Sequence, residues 1–272
     1  MDLGRIDLDH TLSCGQAFRW RKEDGRWRGI VAGEKLILKQ QGDDVDVRTT
    51  LSDRAVRDYF RVEDDIETIL DEIGRDRYVA RLLDRYQGLR LLRQDPWECS
   101  ASYILATYAN VTRIIQMVEK VCRTFGTRLS HDTYSFPTPE QILKNTDKAG
   151  TCGLGYRCDR FVQFARSVHD GELDFQSLRH ASYSDCIKEL VRCDGIGNKV
   201  ADCVALFSLD HLEAFPIDVR IGKALEQRYG TEGSYRKVSE WARQHFGRYA
   251  GYAQEYIYYD QDSRNRPIND RR

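Results

Sequence analysis

The stretch Leu190-Val-Arg-Cys-Asp-Gly-Ile-Gly-Asn-Lys199-Val-Ala-Asp-Cys-Val-Ala205 predicts two helices joined by a tight hairpin. Gly195 and Gly197 flank a single isoleucine, and glycine permits a positive φ and a close approach of the backbone to a ligand. The N–H groups at the start of the second helix, together with the helix dipole, favour an anion such as a phosphate. A plain turn between two core helices has the same pattern, so Gly-Ile-Gly alone leaves both interpretations open.

Lys199 follows the hairpin directly, at a helix N-terminus and among apolar neighbours, and both surroundings favour the free amine. A free amine is a nucleophile that forms Schiff bases with carbonyl-like carbons. Asp218, in Pro216-Ile-Asp218-Val-Arg, is placed to cap another helix. A capping carboxylate beside a lysine can also stabilise a developing cation. Either residue alone fits a structural role, whereas the pair at this spacing indicates catalysis.

Four further blocks stand elsewhere in the chain: Cys14-Gly-Gln-Ala-Phe-Arg-Trp20, Gln87-Gly-Leu-Arg-Leu-Leu-Arg-Gln-Asp-Pro96, Gly153-Leu-Gly-Tyr-Arg157 and Tyr249-Ala-Gly-Tyr-Ala-Gln254. With these blocks, the chain resembles the helix-hairpin-helix, Gly-Pro-Asp superfamily of DNA glycosylases, and within it the 8-oxoguanine DNA glycosylase/AP lyase branch. The blocks follow the family's order and span nearly the whole chain. The eight cysteines form no Cys-x-x-Cys pair and no cluster after the hairpin, which argues against the iron–sulfur endonuclease branch of the superfamily.

The resemblance implies a bifunctional enzyme of base-excision repair that removes 8-oxoguanine from duplex DNA. In this scheme Lys199 attacks C1′ of the sugar and Asp218 stabilises the cationic sugar. The resulting Schiff base then permits strand cleavage by β-elimination. The resemblance implies no cofactor and no metal. The expected partner is double-stranded DNA containing 8-oxoguanine, and we expect a monomer.

The resemblance also assigns recognition of the extruded base to four residues. The carbonyl of Gly15 accepts the N7 hydrogen that 8-oxoguanine has and guanine lacks, since one buried acceptor distinguishes a donor from a lone pair. Cys203 and Tyr258 stack on the two faces of the base, and Gln254 binds its Watson–Crick edge. Each also has an ordinary interpretation: a turn glycine, a core cysteine, and a Tyr/Gln pair at helical spacing.

Another set of residues is expected at the DNA backbone and at the base opposite the lesion. Tyr156 and Arg157 suit a wedge that unstacks the duplex and a donor to the orphaned base. The alternative for this pair is a capping aromatic residue with a solvated arginine. Arg113 matches an arginine that reads the orphaned cytosine. The full set is Tyr108, Asn110, Arg113, Tyr156, Arg157, Gly195, Gly197 and Arg220.

Two members of this set depart from the family. Tyr108 stands where the family usually has an asparagine near the orphaned cytosine, which predicts a relaxed preference for cytosine. Arg220 stands where the family often has a histidine against a phosphate. Because the positive charge is kept there, we expect the phosphate contact to remain.

Length and composition predict a globular protein of two or three small domains, with 272 residues, 31% charged and 41% hydrophobic. Without an apolar span or a secretory signal, no membrane association is expected. The predicted location is the cytoplasm, with the nucleoid, or the nucleus in a eukaryote. Residues 43–74 carry a net charge of −7 and the remainder +6, which suits an acidic lobe facing away from DNA. The cysteines are expected to be reduced thiols.

The hydrophobic pattern predicts an α+β fold: an N-terminal antiparallel β domain with flanking helices, residues 1–75, and a helical region, residues 76–272. In that region two all-helical lobes carry the helix-hairpin-helix motif and enclose a cleft. A strand meander is expected over residues 17–49, its first strand starting at Ala17. Helices are expected at 77–86, 95–108, 110 or 112 to 126, 156–169, 182–193, 198–209, 218–229, 235–246 and 249–262, followed by a frayed tail, 263–272.

Three other functions remain open from the residues alone. A monofunctional alkylated-base glycosylase of the same superfamily is the nearest, but such enzymes lack the lysine found at position 199. A non-catalytic helix-hairpin-helix module that only binds DNA is the second, and the presence of both Lys199 and Asp218 speaks against it. A helical protein without a role on DNA is the third.

Overall fold

A four-stranded antiparallel meander forms the N-terminal part of the computed structural model, which describes residues 1–42 and 44–265. Its strands pair in chain order, with Trp27 opposite Leu38 and Leu38 opposite Val47. Period-two alternation puts apolar side chains on the face that packs against the neighbouring helices. The strands are β1 (Arg21–Glu23), β2 (Arg26–Val31), β3 (Glu34–Gln41) and β4 (Asp44–Thr49).

Helices make up most of the rest of the described chain, so the predicted α+β fold is confirmed. They are α1 (Leu8–Ser13), α2 (Asp53–Tyr59), α3 (Ile66–Ile73), α4 (Arg77–Arg85), α5 (Pro96–Leu105), α6 (Val111–Phe125), α7 (Pro139–Leu143), α8 (Arg157–His169), α9 (Phe175–His180), α10 (Tyr183–Val191), α11 (Asn198–Ser208), α12 (Val219–Tyr229), α13 (Tyr235–Phe246) and α14 (Ala250–Asn265). A small hairpin, β5 (Arg128–Ser130) and β6 (Thr133–Tyr134), and two 3-10 turns, Thr146–Cys152 and Gly247–Tyr249, complete the set.

Three predicted boundaries are wrong, and at two of them a tertiary contact overrides the local pattern. The first strand begins at Arg21 rather than Ala17, because the preceding segment leaves the sheet. In that segment the ring centroid of Phe18 lies 5.4 Å from that of Tyr103, in the helical region. Helix α5 ends at Leu105, and Tyr108 lies in a left-handed turn with φ of 50°. Helix α14 continues to Asn265, through the first part of the predicted tail; residues 266–272 lie outside the described chain.

Two hydrophobic cores are present in the described part of the chain. The first joins the sheet to α1 and α2, and contains Leu36, Leu38 and Phe60. The second fills the helical region, where α5 and α11 pack against each other. Ile69 and Ile73 of α3 belong to this second core although they precede residue 75. The domain boundary at 75/76 stays a prediction.

A charged network joins the segment after α2 to the loop that follows α11. Asp210 contacts Arg61 at 2.6 Å, Arg93 at 2.8 Å and Arg179 at 3.5 Å, and Arg61 is only 1% exposed. Burial raises the pKa of Asp210, but the three guanidinium groups outweigh it and hold that pKa below its usual value. The ionised carboxylate therefore compensates buried positive charge, and its loss would leave Arg61 in an unfavourable environment.

All eight cysteines lie in the described chain; none forms a disulfide, and six are buried. Within residues 1–42 and 44–265, no helix combines the length and apolar character needed to cross a membrane. In the same part of the chain, no three His, Cys, Asp or Glu side chains are grouped so that they could hold a metal ion.

Candidate active site

A cavity of about 1230 Å³ opens between the hairpin joining α10 to α11, the turn joining α5 to α6, and α14. Its walls come from segments that are far apart in sequence. All six residues predicted for chemistry and base recognition border it: Gly15, Lys199, Cys203, Asp218, Gln254 and Tyr258. The fold thus brings the predicted nucleophile, carboxylate and base contacts to one place.

The hairpin has the geometry that its glycines permit. Gly195 has φ of 90°, which strains any larger residue, and a Cβ added there would lie 3.2 Å from the Arg160 side chain, which would have to shift. Gly197 does not use a positive φ: with φ of −88° and ψ of 177° it is the N-cap of α11. It supplies no side-chain cap, so the first N–H groups of α11 remain available to an anion at the exposed hairpin.

Lys199, in the first turn of α11, is partly exposed and points over an aromatic ring. Its Nζ lies 5.1 Å from the centroid of the Tyr103 ring. The Tyr103 ring is buried and makes an edge contact with the Phe18 ring. It also stacks on the Phe207 ring, with 5.8 Å between the two ring centroids. The aromatic face attracts the ammonium group and opposes the helix dipole, which repels it. The amine is therefore held in place at the cavity wall.

Cys203 lies one helical turn after Lys199 and is buried. Burial raises the pKa of its thiol to about 11, with Lys199 opposing the shift. The thiol is therefore neutral near pH 7, and it presents a polarisable, uncharged surface to the cavity. A neutral thiol suits a stacking contact better than it suits a nucleophile.

Asp218 caps α12, as its position after Pro216 predicts. Its Oδ1 accepts a hydrogen bond of 2.8 Å from the backbone N–H of Ile221. The carboxyl group is half-buried and borders the cavity, so capping and a role toward a bound sugar are compatible. Both predicted chemical groups thus sit at helix N-termini that face the same space.

Two of the residues predicted to recognise the base, Gly15 and Tyr258, lie against each other. Gly15 has φ of 96°, and a Cβ there would lie 3.5 Å from Cε1 of Tyr258. Gln254 is 4% exposed, and its Oε1 has no hydrogen-bond partner in the described chain. Because an unsatisfied buried amide is costly, this side chain is suited to bind the polar edge of a ligand.

Gln16 is a structural residue of the site that the sequence analysis missed. Its Nε2 donates to the Arg90 carbonyl at 2.9 Å, and its Oε1 accepts from the Leu92 N–H at 2.8 Å. Its own carbonyl accepts from the Tyr103 hydroxyl at 3.2 Å. These bonds join the blocks at 14–20 and 87–96 and hold Gly15 beside the cavity. Gln16 could have been identified from the sequence because the blocks at 14–20 and 87–96 both occur in the family's pattern. No neighbouring residue in the sequence indicated a role for Tyr103.

Three residues predicted for the opposite strand lie beside the cavity rather than on its wall. The Thr107 carbonyl accepts from the Tyr156 hydroxyl at 3.1 Å and from Nε of Arg157 at 2.9 Å. Arg113 donates to the Gly153 carbonyl at 2.7 Å. The turn between α5 and α6 and the glycine-bearing segment before α8 are therefore held together, and the Tyr156 ring remains about half exposed. In this arrangement Arg157 is bound to the protein's own backbone, and reaching a base requires it to share or leave that bond.

Tyr108 is 98% exposed at the mouth of the cavity, with its backbone in the left-handed region. A positive φ is unusual for a bulky residue and costs on the order of 1 kcal/mol, so the clamped neighbours must impose it. Asn110 uses its side chain to cap α6, accepting from the Arg113 N–H at 2.9 Å. Arg220, in the first turn of α12, is exposed and borders the cavity.

Exposed apolar side chains also ring this opening. Tyr108, Val111, Val191 and Val219 are exposed and border the cavity, and they include most of the large exposed apolar residues of the described chain. Apolar groups next to uncapped helix N–H groups and arginines suit contact with the sugar faces and phosphates of a nucleic acid.

Residues 1–99 match the family model of the 8-oxoguanine DNA glycosylase N-terminal domain. The probable N-glycosylase/DNA lyase of Methanothermobacter thermautotrophicus is 29% identical, the match covering 94% of this chain and 93% of the relative. The N-glycosylase/DNA lyase of Saccharomyces cerevisiae is 28% identical, over 86% of this chain and 71% of the relative. Among solved structures, the Clostridium acetobutylicum 8-oxoguanine glycosylase/lyase, in complex with double-stranded DNA containing cytosine opposite 8-oxoG, superposes with a TM-score of 0.90. The two chains are 28% identical, and the match covers 96% of this chain and 93% of the Clostridium chain. These similarities confirm the resemblance that the motifs indicated.

Proposed function

We propose that this chain is a bifunctional DNA glycosylase and AP lyase of base-excision repair, which removes 8-oxoguanine from duplex DNA. The observation that carries the proposal is the shared cavity. It combines a lysine and an aspartate at two helix N-termini with a glycine turn and a buried amide whose oxygen has no hydrogen-bond partner among the described residues. The similarity to enzymes named N-glycosylase/DNA lyase supports both activities.

In the proposed reaction Lys199 is the nucleophile. Its neutral amine attacks C1′, the N-glycosidic bond breaks, and the bond pair leaves with the base, which takes up a proton. Positive charge develops on the sugar in the transition state, and the Asp218 carboxylate at the cavity wall stabilises it. The C1′ adduct opens to a Schiff base. Loss of a C2′ proton and departure of the 3′ phosphate oxygen then cleave the strand 3′ to the lesion.

Base selection is proposed to follow from the packed residues of the cavity. The Gly15 carbonyl accepts from N7–H of 8-oxoguanine, and Gln254 pairs with the Watson–Crick edge. Guanine presents a lone pair at N7 instead, which would leave the carbonyl without a donor. Its binding free energy in the cavity should therefore be less favourable than that of 8-oxoguanine by on the order of 1–3 kcal/mol. Cys203 and Tyr258 provide the stacking surfaces on either side of the base.

The duplex is proposed to lie across the exposed apolar side chains around the cavity opening and across the hairpin between α10 and α11. The N–H groups of α11 and the side chain of Arg220 contact phosphates of the lesion strand. Tyr156, Arg157 and Arg113 face the opposite strand, with Tyr108 next to the orphaned base. Because its substrate would be genomic DNA, the proposed location is the cytoplasm, at the nucleoid, or, in a eukaryotic cell, the nucleus.

The rival functions predict different products. A monofunctional glycosylase would leave an abasic site and an intact strand, and a binding module would leave the lesion in place. Lys199, held over Tyr103 at the wall of the cavity, favours the bifunctional enzyme over both.

The test is strand nicking of a duplex with 8-oxoguanine opposite cytosine, with an otherwise identical guanine duplex as substrate control. Nicking and a borohydride-trapped protein–DNA adduct are expected only with the lesion. Lys199→Gln should abolish trapping and nicking while lesion-duplex binding persists. The matched control is Lys188→Gln, an exposed lysine of α10 paired with Asp185, which should behave as wild type. An intact strand with wild-type protein would refute the proposal, and trapping by Lys199→Gln would place the nucleophile elsewhere.

A further inference from the structure

Asp202 is a buried carboxylate directly before Cys203 on α11, and it does not itself border the cavity. It is 1% exposed and receives two hydroxyl hydrogen bonds, one on each oxygen. The Tyr183 hydroxyl donates to Oδ1 at 2.6 Å, and the Tyr235 hydroxyl donates to Oδ2. A buried carboxylate is tolerated only where such partners satisfy it, so the geometry of this group is well defined.

The two tyrosines differ in their other contacts. The Tyr235 hydroxyl also accepts a hydrogen bond of 3.4 Å from the backbone N–H of Ile217, and its side chain borders the cavity. Ile217 directly precedes Asp218. Tyr183 lies at the start of α10, and within the described part of the chain its hydroxyl forms no such bond to the loop. Tyr235 therefore connects the helix that carries Lys199 to the loop that carries Asp218.

This connection matters because the two predicted chemical groups belong to separate elements. The position of Lys199 is determined by α11, whereas the position of Asp218 is determined by the segment between α11 and α12. Among the hydrogen bonds described, the bridge from Asp202 through Tyr235 to Ile217 ties these two elements together beside the cavity. Burial and the neighbouring carboxylate raise the pKa of Tyr235 well above its usual value, so its hydroxyl stays protonated and continues to donate.

We infer that Tyr235 is a positioning residue for the reaction: its hydroxyl, held by Asp202, sets the Asp218 loop relative to Lys199. The inference rests on the proposed function of Lys199 and Asp218. Tyr235 touches neither the base nor the sugar in this assignment, and it acts only through the Ile217 N–H and the Asp202 carboxylate. Misplacement of reacting groups by about 1 Å is enough to reduce a rate about a hundredfold.

The experiment compares Tyr235→Phe with Tyr183→Phe, which form a matched pair. Each removes one hydroxyl from the same carboxylate and keeps its ring, but only Tyr235→Phe breaks the bond to Ile217. The single-turnover rate on an 8-oxoguanine duplex, the dissociation constant for that duplex and the melting temperature are measured for both. Tyr235→Phe should slow the single-turnover rate about ten- to a hundredfold with an unchanged dissociation constant. Tyr183→Phe should stay within about threefold of wild type, and both should lose similar thermal stability.

Three results would overturn the inference. Equal rate losses in both variants would mean that the effect comes from Asp202 itself rather than from the loop. A wild-type rate in Tyr235→Phe would show that the loop is held by other contacts. A rate loss matched by weaker duplex binding would indicate general loosening of the cavity. Failure of the proposed function is a separate outcome, because in that case wild-type protein and Tyr183→Phe would also leave the lesion strand intact.

Discussion

The Nζ of Lys199 lies 5.1 Å from the centroid of the Tyr103 ring, while the hydroxyl of the same tyrosine donates to the Gln16 carbonyl. Gln16 follows Gly15, the proposed acceptor for N7–H of the lesion. One buried side chain on α5 therefore contacts both the proposed nucleophile and the loop proposed to select the base. The spacing between Lys199 and the Gly15 loop is therefore determined by a rigid aromatic side chain rather than by the flexible lysine side chain.

Replacing Tyr103 separates its two contacts. Tyr103→Leu removes the aromatic face and the hydroxyl, so we expect the single-turnover cleavage rate to fall about tenfold, the equivalent of about 1.4 kcal/mol. Tyr103→Phe keeps the face and loses only the bond to Gln16, so a smaller loss is expected. Rapid-quench assays on 8-oxoguanine duplexes measure both. Equal losses in the two variants would show that the hydroxyl, and not the ring, is what matters.

Asp218→Asn separates capping from catalysis. An asparagine side-chain oxygen can still accept from the Ile221 N–H, so the melting temperature should change by no more than a few degrees. The negative charge at the cavity is lost, and we expect the cleavage rate to fall about 100-fold or more. Asp218→Ala, which loses both properties, should in addition melt earlier. If Asp218→Asn cleaves at nearly the wild-type rate, the residue is only a cap.

Tyr108 is expected to relax the preference for the base opposite the lesion. A fully exposed ring at the mouth of the cavity can stack on any base, whereas an asparagine would hydrogen-bond to cytosine. Wild-type protein should therefore nick 8-oxoguanine opposite all four bases, favouring cytosine only modestly. Tyr108→Asn should sharpen the preference by up to about 1–3 kcal/mol. Nicking rates with each opposite base measure this, and a wild-type enzyme confined to cytosine would contradict it.

Asp210 is expected to contribute to stability in a pH-dependent way. Its folded-state pKa lies below the ordinary 3.8, so its contribution is complete above that pH and is lost as the pH falls through the lower folded-state value. Asp210→Asn leaves Arg61 without its closest carboxylate, and should lower the free energy of unfolding at pH 7 by about 3 kcal/mol. Urea unfolding at pH 7 and at progressively lower pH measures the difference, which should shrink on acidification.

The control for Asp210 is Asp71→Asn, which removes an exposed pair with Arg75. Both side chains of that pair are more than three-quarters exposed, so its loss should cost less than about 0.5 kcal/mol. Equal effects of the two substitutions at pH 7 would show that burial around Arg61 does not strengthen the Asp210 network.

The local features of this protein could be read from its sequence. The meander after Arg21, the hairpin between α10 and α11, and the caps Asn110 and Asp218 each depend on residues within a few positions of one another. Turn glycines, capping side chains and hydrophobic periodicity act over that range, so they predict helices and strands without knowledge of the rest of the chain. For the same reason Lys199 could be placed at a helix N-terminus beside a glycine hairpin.

The contacts that organise the site were decided only by the tertiary structure. Tyr103 meets Lys199 across 96 positions, Gln16 bonds to Arg90 and Leu92, and Tyr235 bridges Asp202 to Ile217. The left-handed backbone of Tyr108 belongs to this class too, because contacts from α8 hold the preceding carbonyl. Each depends on how whole helices pack, and packing is the sum of many weak contacts spread over the core. No short segment of sequence carries that sum.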